Sequence, residues 1–334
     1  MKIKAAIVIS LAVISSVVNA RISYDLSVNG ANAKVVFKVV DQDGVAVSGA
    51  EFRGAFSANR LDDSVLIDGI SNTNGEFIAQ GKCNEFLRVG VTKEGYYHTE
   101  EKVNFWQSKL NPLVVDGKWQ PYGETRTVIL KKIKNPIRLC DPDARVRHKY
   151  PESGKWVGFD LELCDWVQPL GNGKCADMMV RYTRSPLLDG YSKSLDVAFT
   201  NNLYAGVYLL GKDSYSELDS VYEANTNGEY ISTLRYEFER TANGNHMISE
   251  LGKNEYLVFR TRTKIDCEGR LISAHYGRIM GCWDYVETGN MILSSYFNPT
   301  PNDTNLEDAE TARLSRLGYK QRLEFERRRK AKKK

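Results

Sequence analysis

Residues 254–280 read NEYLVFRTRTKIDCEGRLISAHYGRIM, and this stretch decides the fold of the larger part of the chain. Leu257, Phe259 and Ile265 fall on one side with Thr261 and Thr263 between them, and Arg260, Arg262 and Lys264 fall on the other. That is the period of two expected of a strand with one covered and one solvated face. The turn lies at Asp266-Cys267-Glu268-Gly269-Arg270. A short loop ending in a left-handed glycine joins two strands as a type I turn followed by a G1 bulge. The resulting register pairs Ile265 with Leu271, Thr261 with His275, and Arg260 with Tyr276. The pattern predicts a long β-hairpin, and therefore an antiparallel, sandwich-type body around it.

Upstream of the hairpin the same texture continues. Val157, Phe159, Leu161 and Leu163 are expected to face inward from a hairpin over 156–180, with Asp160 and Glu162 facing out. Strands follow at 195–199, 205–210 and 230–238, with Asn225-Thr226-Asn227-Gly228 as an intervening turn and a short helix over 246–251. Strand pattern resumes over 283–297 and closes on Asn298-Pro299-Thr300-Pro301. Residues 135–303 thus read as one antiparallel β-sandwich or jelly-roll-like domain.

The chain starts with a secretory signal. Lys2 and Lys4 precede an apolar run from Ala5 to Val18, and Val18-Asn19-Ala20 gives a small-residue cleavage site. The run is shorter than the roughly 20 residues a membrane span needs, so cleavage is expected after Ala20, leaving no transmembrane anchor. This places the protein outside the cytoplasm, secreted, periplasmic or associated with the cell envelope. The whole chain of 334 residues carries a net charge of +4. The 304–334 tail alone carries +6 and the signal +2, so the 21–303 body stands at −4. A nucleic-acid-binding fold would carry its positive charge on a structured face, and this one does not. The tail, with acidic residues early and basic ones late, reads as a basic helix ending in a solvated cationic stretch, Arg327–Lys334. Such an end is suited to holding the protein on an anionic envelope surface.

Residues 21–134 form a first, all-β domain. Alternation at Val35, Phe37 and Val39 runs into the Asp41-Gln42-Asp43-Gly44 turn, and further strands follow around Phe52, Phe77, Val89–Val91 and Thr125–Lys131. The order Val39-x-Asp41-x-x-Gly44, Val47-x-Gly49-Ala50, Thr73-Asn74-Gly75-Glu76-Phe77 and Val91-x-Lys93-x-Gly95-Tyr96 resembles the carboxypeptidase regulatory-like domains over roughly residues 33–131. The resemblance implies an Ig-like or transthyretin-like sandwich. It also implies an accessory module without catalytic residues, with Phe77 and Tyr96 filling the core. Around 131–151 three prolines and mixed charges mark the passage into the second domain.

Six cysteines follow the signal: Cys83, Cys140, Cys164, Cys175, Cys267 and Cys282. In an oxidising compartment an even count permits three disulfides in 15 connectivities. Five of the six lie in the second domain, so either Cys83 bridges the domains or free thiols remain. A continuous strand at about 3.3 Å per residue would hold Cys267 and Cys282 some ~50 Å apart, beyond bonding reach.

The chain carries no Walker loop, dinucleotide fingerprint, Gly-x-Ser-x-Gly elbow or HExxH, and no cofactor or metal is expected. Asp41-Gln42-Asp43-Gly44 and Asp141-Pro142-Asp143 have oxygen ligands that suit calcium, but these are also turn residues. His275, opposite Thr261, reads as a hydrogen-bonded sheet histidine. Asp160 and Glu162 are the carboxylate pair a glycan hydrolase would need, one of them with a raised pKa; on a wet strand face they are also ordinary. Trp106, Trp119 and Tyr122 flank Gly/Pro turns and would form a stacking platform for sugar rings, although large rings mostly fill cores. Arg260, Arg262 and Lys264 would form a basic ladder for an anionic polymer, or simply a charged face that discourages edge pairing. Two functions follow as expectations. One is a non-enzymatic exported protein for surface association, adhesion or glycan binding. The other is an extracellular glycan hydrolase using Asp160 and Glu162.

Overall fold

The computed structural model describes residues 28–58, 64–106, 113–140, 146–200, 204–210, 215–249, 256–280 and 289–317. The expected signal over 1–20, the Asp141-Pro142-Asp143 turn, Cys282, Trp283 and the cationic end 327–334 lie outside them. The chain divides into two compact units, one running through Ile133 and including 215–217 and 313–317, the other comprising most of 134–312. Both are built of β-sheets, and the protein is all-β with a single short helix among the described residues.

The first unit grows from β1 (Ala31–Asp41), where Ala33, Val35, Phe37 and Val39 are fully buried and the residues between them point away from the core. β1 pairs antiparallel with β4 (Glu76–Cys83) and parallel with β9 (Glu124–Leu130) and with β8 (Lys118–Trp119), which is itself paired with β7 (Val114–Val115). A second sheet runs β3 (Val65–Ile70), β2 (Glu51–Phe56), β5 (Phe86–Thr92), β6 (Thr99–Asn104) and β16 (Tyr215–Ser216). The two inner faces share one core, in which Phe37, Phe52, Phe56, Leu87, Val89 and Val128 are wholly buried. Each such side chain stabilises the unit by about 1.5–3 kcal/mol. Phe77 stacks on Phe52 with ring centroids 4.4 Å apart. Tyr96 is only partly buried, and it is its neighbour Tyr97 that is wholly enclosed. The Asp41 turn is closed by its own carboxylate, which accepts the N–H groups of Asp43 and Val45 at 3.0 and 2.9 Å and pairs with Lys132 at 2.7 Å.

The second unit contains two antiparallel sheets. One is ordered β10 (Val146–Lys149), β21 (Asn290–Phe297), β20 (Leu271–Met280), β19 (Tyr256–Ile265) and β15 (Gly206–Leu210). The other is β12 (Asp165–Trp166), β11 (Trp156–Asp160), β13 (Met178–Leu187), β14 (Gly190–Phe199), β17 (Thr233–Thr241) and β18 (Gly244–Ser249). Phe159, Val180, Leu195 and Tyr236 from one sheet and Leu257, Phe259, Ile279 and Phe297 from the other belong to a single core, so the unit is a β-sandwich.

The hairpin β19–β20 has the register read from its turn: Ile265 opposite Leu271, Thr261 opposite His275, Arg260 opposite Tyr276. Gly269 has φ +80 and donates to the Asp266 carbonyl at 3.1 Å. His275 Nδ1 lies 3.2 Å from the Asn298 carbonyl, to which it donates.

Four expectations need correction. The second face of the hairpin is not solvated: Val258, Ala274 and Tyr276 pack with Ala224 and Leu306 in a further cluster, so the sheet is covered on both sides. Residues 244–249 form strand β18, paired with β17 from Thr241–Gly244 onward, because a two-residue turn at Ala242-Asn243 returns the chain as a hairpin. The strand at Asp160 ends there and the chain turns, which exposes Leu163 and buries Asp160 to 1%. The expected tail helix is realised only over α1 (Ala309–Ser315) within the described residues. Ahead of it Leu306, Glu307 and Asp308 are buried; Glu307 accepts the N–H groups of Lys134 and Asn135, and Asp308 caps α1 through the Thr311 N–H at 2.7 Å.

Candidate functional site

On the outer side of the hairpin sheet lies a groove of about 820 Å³, walled by Tyr204, Asn227, Tyr230, Ile272 and Tyr276 and floored by Arg260. Arg260 and Tyr276 are cross-strand partners, which places a cation beside a ring in the middle of a paired sheet. The Arg260 side chain is fixed at several points. Its Nε donates to the Tyr204 carbonyl at 2.6 Å and its Nη1 to the Thr226 carbonyl at 2.8 Å. The guanidinium lies over the Tyr230 ring at 3.9 Å from the centroid and 5.8 Å from that of Tyr204. The tyrosines are themselves anchored. Tyr204 Oη donates to Gly269 O at 2.8 Å, Tyr230 Oη donates to Asn225 O at 2.9 Å, and Tyr208 meets Tyr230 edge-on at 5.2 Å. Burial pushes the Tyr230 phenol well above its usual range, so it stays a neutral donor.

Arg260 is 4% exposed, and no carboxylate of the described residues pairs with it. A buried charge is costly unless compensated. Here carbonyl dipoles and a ring face supply the compensation, with the stack worth about 2 kcal/mol in a desolvated setting.

Two residues further along, Arg262 does something different. The pairing of β19 with β20 shifts between Thr261 and Lys264 and shifts back between Lys264 and Ile265. Arg262 sits in this bulge with φ +48, a conformation that costs a residue with a Cβ about 1–3 kcal/mol. The bulge turns Thr261 and Arg262 toward the same partner. Thr261 Oγ1 and Arg262 Nε both reach Asp177 Oδ1 at 3.0 Å. Arg262 also binds Asp160 at 3.3 Å and the Glu162 carboxylate, and lies over the Phe297 ring at 4.5 Å.

These acids are structural in their bonding. Asp160 Oδ1 accepts the N–H groups of Glu162 and Leu163, and Oδ2 accepts those of Lys174 and Cys175. Burial raises Asp160, but the N–H groups of Lys174, Cys175 and Leu163, with the Arg262 charge, bring it below the usual carboxylate range. That is the opposite of what a general acid needs. Burial pushes the Asp177 carboxyl up against the pull of Arg262, yet Asp177 is fully enclosed and both of its oxygens are occupied. Burial pulls the Arg262 guanidinium down, and the hydrogen bonds and charge of Asp177 outweigh it and hold it above its usual value.

The other predicted residues are dispersed. Lys264 is exposed near the hairpin tip, so Arg260, Arg262 and Lys264 form no common ladder: the bulge breaks their shared face. Trp119 is 1% exposed, its Nε1 donating to Cys83 O at 2.8 Å, and it lies inside the first unit's core. Trp106 packs against it at 5.8 Å and is partly buried, while Tyr122 is covered by the Lys118 ammonium at 5.2 Å. The three do not make an exposed platform.

The five described cysteines, Cys83, Cys140, Cys164, Cys175 and Cys267, are all free thiols. The expected disulfide framework therefore does not hold for them. Cys83 sits in the first unit's core, Cys164 is buried 3.9 Å from His148 Nε2, and Cys267 is exposed at the hairpin turn.

Sequence reasoning missed the groove because its walls come from 204, 226–231, 271–276 and 302, positions that no local spacing relates. The abundance of tyrosine was the one available signal.

No protein-family model and no curated protein matches the chain. Among solved structures, 3-chlorocatechol 1,2-dioxygenase from Rhodococcus opacus aligns at 13% identity and a TM-score of 0.24, over 31% of this chain and 61% of that enzyme. The chain thus spans less than two thirds of that enzyme's length. A streptococcal ancillary pilin aligns at 10% identity and 0.21, over 83% of this chain and 61% of the pilin. The major pilin subunit of Bacillus cereus aligns at 11% and 0.20, over 79% and 95%. None of the three superposes closely enough to assign a shared fold.

Proposed function

We propose that this chain is an exported, non-catalytic binding protein of the cell surface or envelope, and that its second unit takes a glycan in the Arg260 groove. The first unit serves as an accessory sandwich of the carboxypeptidase regulatory-like kind, and the cationic end beyond residue 326 adds attraction to an anionic surface. The observation that carries the reading is the floor of the groove. A buried guanidinium is held by two carbonyls and a tyrosine ring at the base of an open groove of about 820 Å³. Ring faces beside fixed polar groups suit a saccharide, which offers flat C–H surfaces edged with hydroxyls. The hydrolase reading loses its support at Asp160 and Glu162, both of which are bound to Arg262.

The test is a glycan array probed with the purified chain and with Arg260→Met. Saccharide binding that weakens in the variant while a first-unit substitution such as Lys38→Gln leaves it intact supports the reading. Binding to no saccharide, or binding indifferent to Arg260, overturns it. Salt-dependent release from envelopes that persists after deletion of 327–334 would remove the part assigned to the tail.

A further inference from the structure

Resting on that reading, we infer that the groove selects a saccharide bearing a carboxylate, such as a uronic acid, with the carboxylate seated on Arg260. Three features lead there. Arg260 is 96% enclosed, being 4% exposed, yet it pairs with no carboxylate among the described residues. Its fork spends Nε on Tyr204 O and Nη1 on Thr226 O, and no described residue accepts a hydrogen bond from Nη2. A pre-positioned guanidinium with spare donors at the foot of a groove matches an oxyanion that arrives from outside.

The charge balance of the groove narrows the anion. Its lining has one cation, Arg260, and one carboxylate, Glu229, which is exposed and makes no ion pair with another described residue. Arg260 offers a single positive charge, enough for one carboxylate at contact distance; Glu229 repels any anion, and a phosphate dianion about twice as strongly for the same one cation. The floor also disfavours an extended peptide. Strand β19 is paired on both sides at this point, Arg260 facing Tyr276 on β20 and Gly206 on β15. No backbone edge is open for a peptide to add a strand. Recognition must come from side chains and ring faces. Tyr204 and Tyr230, both partly exposed, supply rings, Tyr276 backs the groove from the sheet, and Thr226 and Asn227 stand exposed at the side.

The experiment titrates the full chain with a short oligogalacturonate, with its methyl ester, with a galactose 6-phosphate and with an oligoglutamate peptide. It is run at about 0.5 M NaCl, where screening over a few ångströms suppresses the cationic tail. Oligogalacturonate should bind, and esterification should weaken it by about tenfold to a hundredfold, the loss expected when a charge-assisted hydrogen bond becomes a neutral one. Arg260→Met should lose the preference for the free acid. Because that variant removes a buried contact, a second one guards the test: Glu229→Gln, on an exposed side chain of the groove wall, should tighten binding of the acid more than that of the ester. Equal binding of acid and ester would overturn the inference while leaving glycan binding standing. Preference for the phosphate or the peptide would overturn it as well. Binding to none of the probes, together with a blank glycan array, would remove the inference and the function it rests on.

Discussion

Arg260 and Arg262 stand two positions apart on one strand yet serve opposite sides of its sheet. Arg260 lies in the outer groove over Tyr230, and Arg262 turns inward to Asp177. An unbroken strand would put both on one face. The bulge between Thr261 and Lys264 separates them and makes one arginine a candidate ligand contact and the other a clamp.

The clamp gives the first prediction. Removing the Arg262 guanidinium in Arg262→Met leaves Asp160, Asp177 and Glu162 without their cation. Breaking a buried pair costs about 3–5 kcal/mol. The Arg262 side chain is 22% exposed, so a cost below that range, about 2–3 kcal/mol, is expected for this partly solvated site. Urea unfolding of the second unit reads it. A loss below about 0.5 kcal/mol, the size of an ordinary surface substitution, would show that the carboxylates are held by their backbone N–H partners alone.

Acid should act on the second unit in two steps. Burial lowers the His148 imidazole below its ordinary value of about 6.5, so the unfolded chain takes up its proton first. Stability is then full above about pH 6.5 and declines as the pH falls through the depressed folded value. Asp160 is lowered as well. Its contribution is present above the ordinary carboxylate value of about 3.9 and is lost as the pH falls further through the folded value. Urea midpoints measured from pH 8 to pH 3 should show both limbs, and His148→Phe should flatten the upper one. An upper limb that is unchanged in this variant would mean that His148 takes up its proton equally readily in the folded and unfolded chain and that another group sets the limb.

The turn chemistry of the hairpin was legible in the sequence, because Gly269 and the alternation on either side fix one register. The two pairing shifts inside it were not. They cancel, so Arg260 still faces Tyr276 and Ile265 still faces Leu271. Alternation also misled at Asp160, since nothing local announces that the strand stops there. The carboxylate is satisfied by N–H groups up to 15 residues away. The solvated face assigned to the hairpin was lost because its cover comes from Ala224 and Leu306, on segments remote in sequence. The hairpin turn at Ala242-Asn243 was local and readable; the other misses were long-range.

In the first unit Trp119 is a core residue and should behave as one. Trp119→Ala removes a ring 1% exposed, packed against Phe105 at 6.0 Å, and the hydrogen bond to Cys83 O. A loss of about 3–5 kcal/mol is expected from the cavity, with no change in glycan affinity at temperatures where the unit stays folded. Reduced affinity without reduced stability would return Trp119 to the role of a sugar platform.

The thiols make a prediction that needs no variant. Cys267 lies exposed in the hairpin turn, while Cys83 and Cys164 are buried and burial pushes the Cys83 thiol up. A maleimide should therefore label Cys267 quickly in the native chain and reach Cys83 and Cys164 only on unfolding, since the thiolate is the reacting form. Mass spectrometry of peptides from native and urea-unfolded samples resolves the order. A Cys83 that resists labelling even when unfolded, and yields only after a reductant is added, would mean that it is bonded to another thiol in the isolated protein.

The turn from Asn72 to Gly75 leads β3 into β4 and packs against β1. Gly75 has φ +75, accepts the Val39 N–H at 2.8 Å, and leaves room for no side chain: a Cβ there would lie 2.4 Å from the Val39 carbonyl oxygen. Gly75→Ala faces both the left-handed backbone and that contact, so it should cost more than the roughly 1 kcal/mol typical of strain alone. Gly44, with φ +79 and open space around it, has only the first of these. Gly44→Ala should therefore lose less in thermal unfolding of the first unit, and the difference between the two variants measures the steric part. Equal losses would show that the β1–β4 junction yields enough to admit a methyl group, and that the backbone conformation by itself sets the preference for glycine.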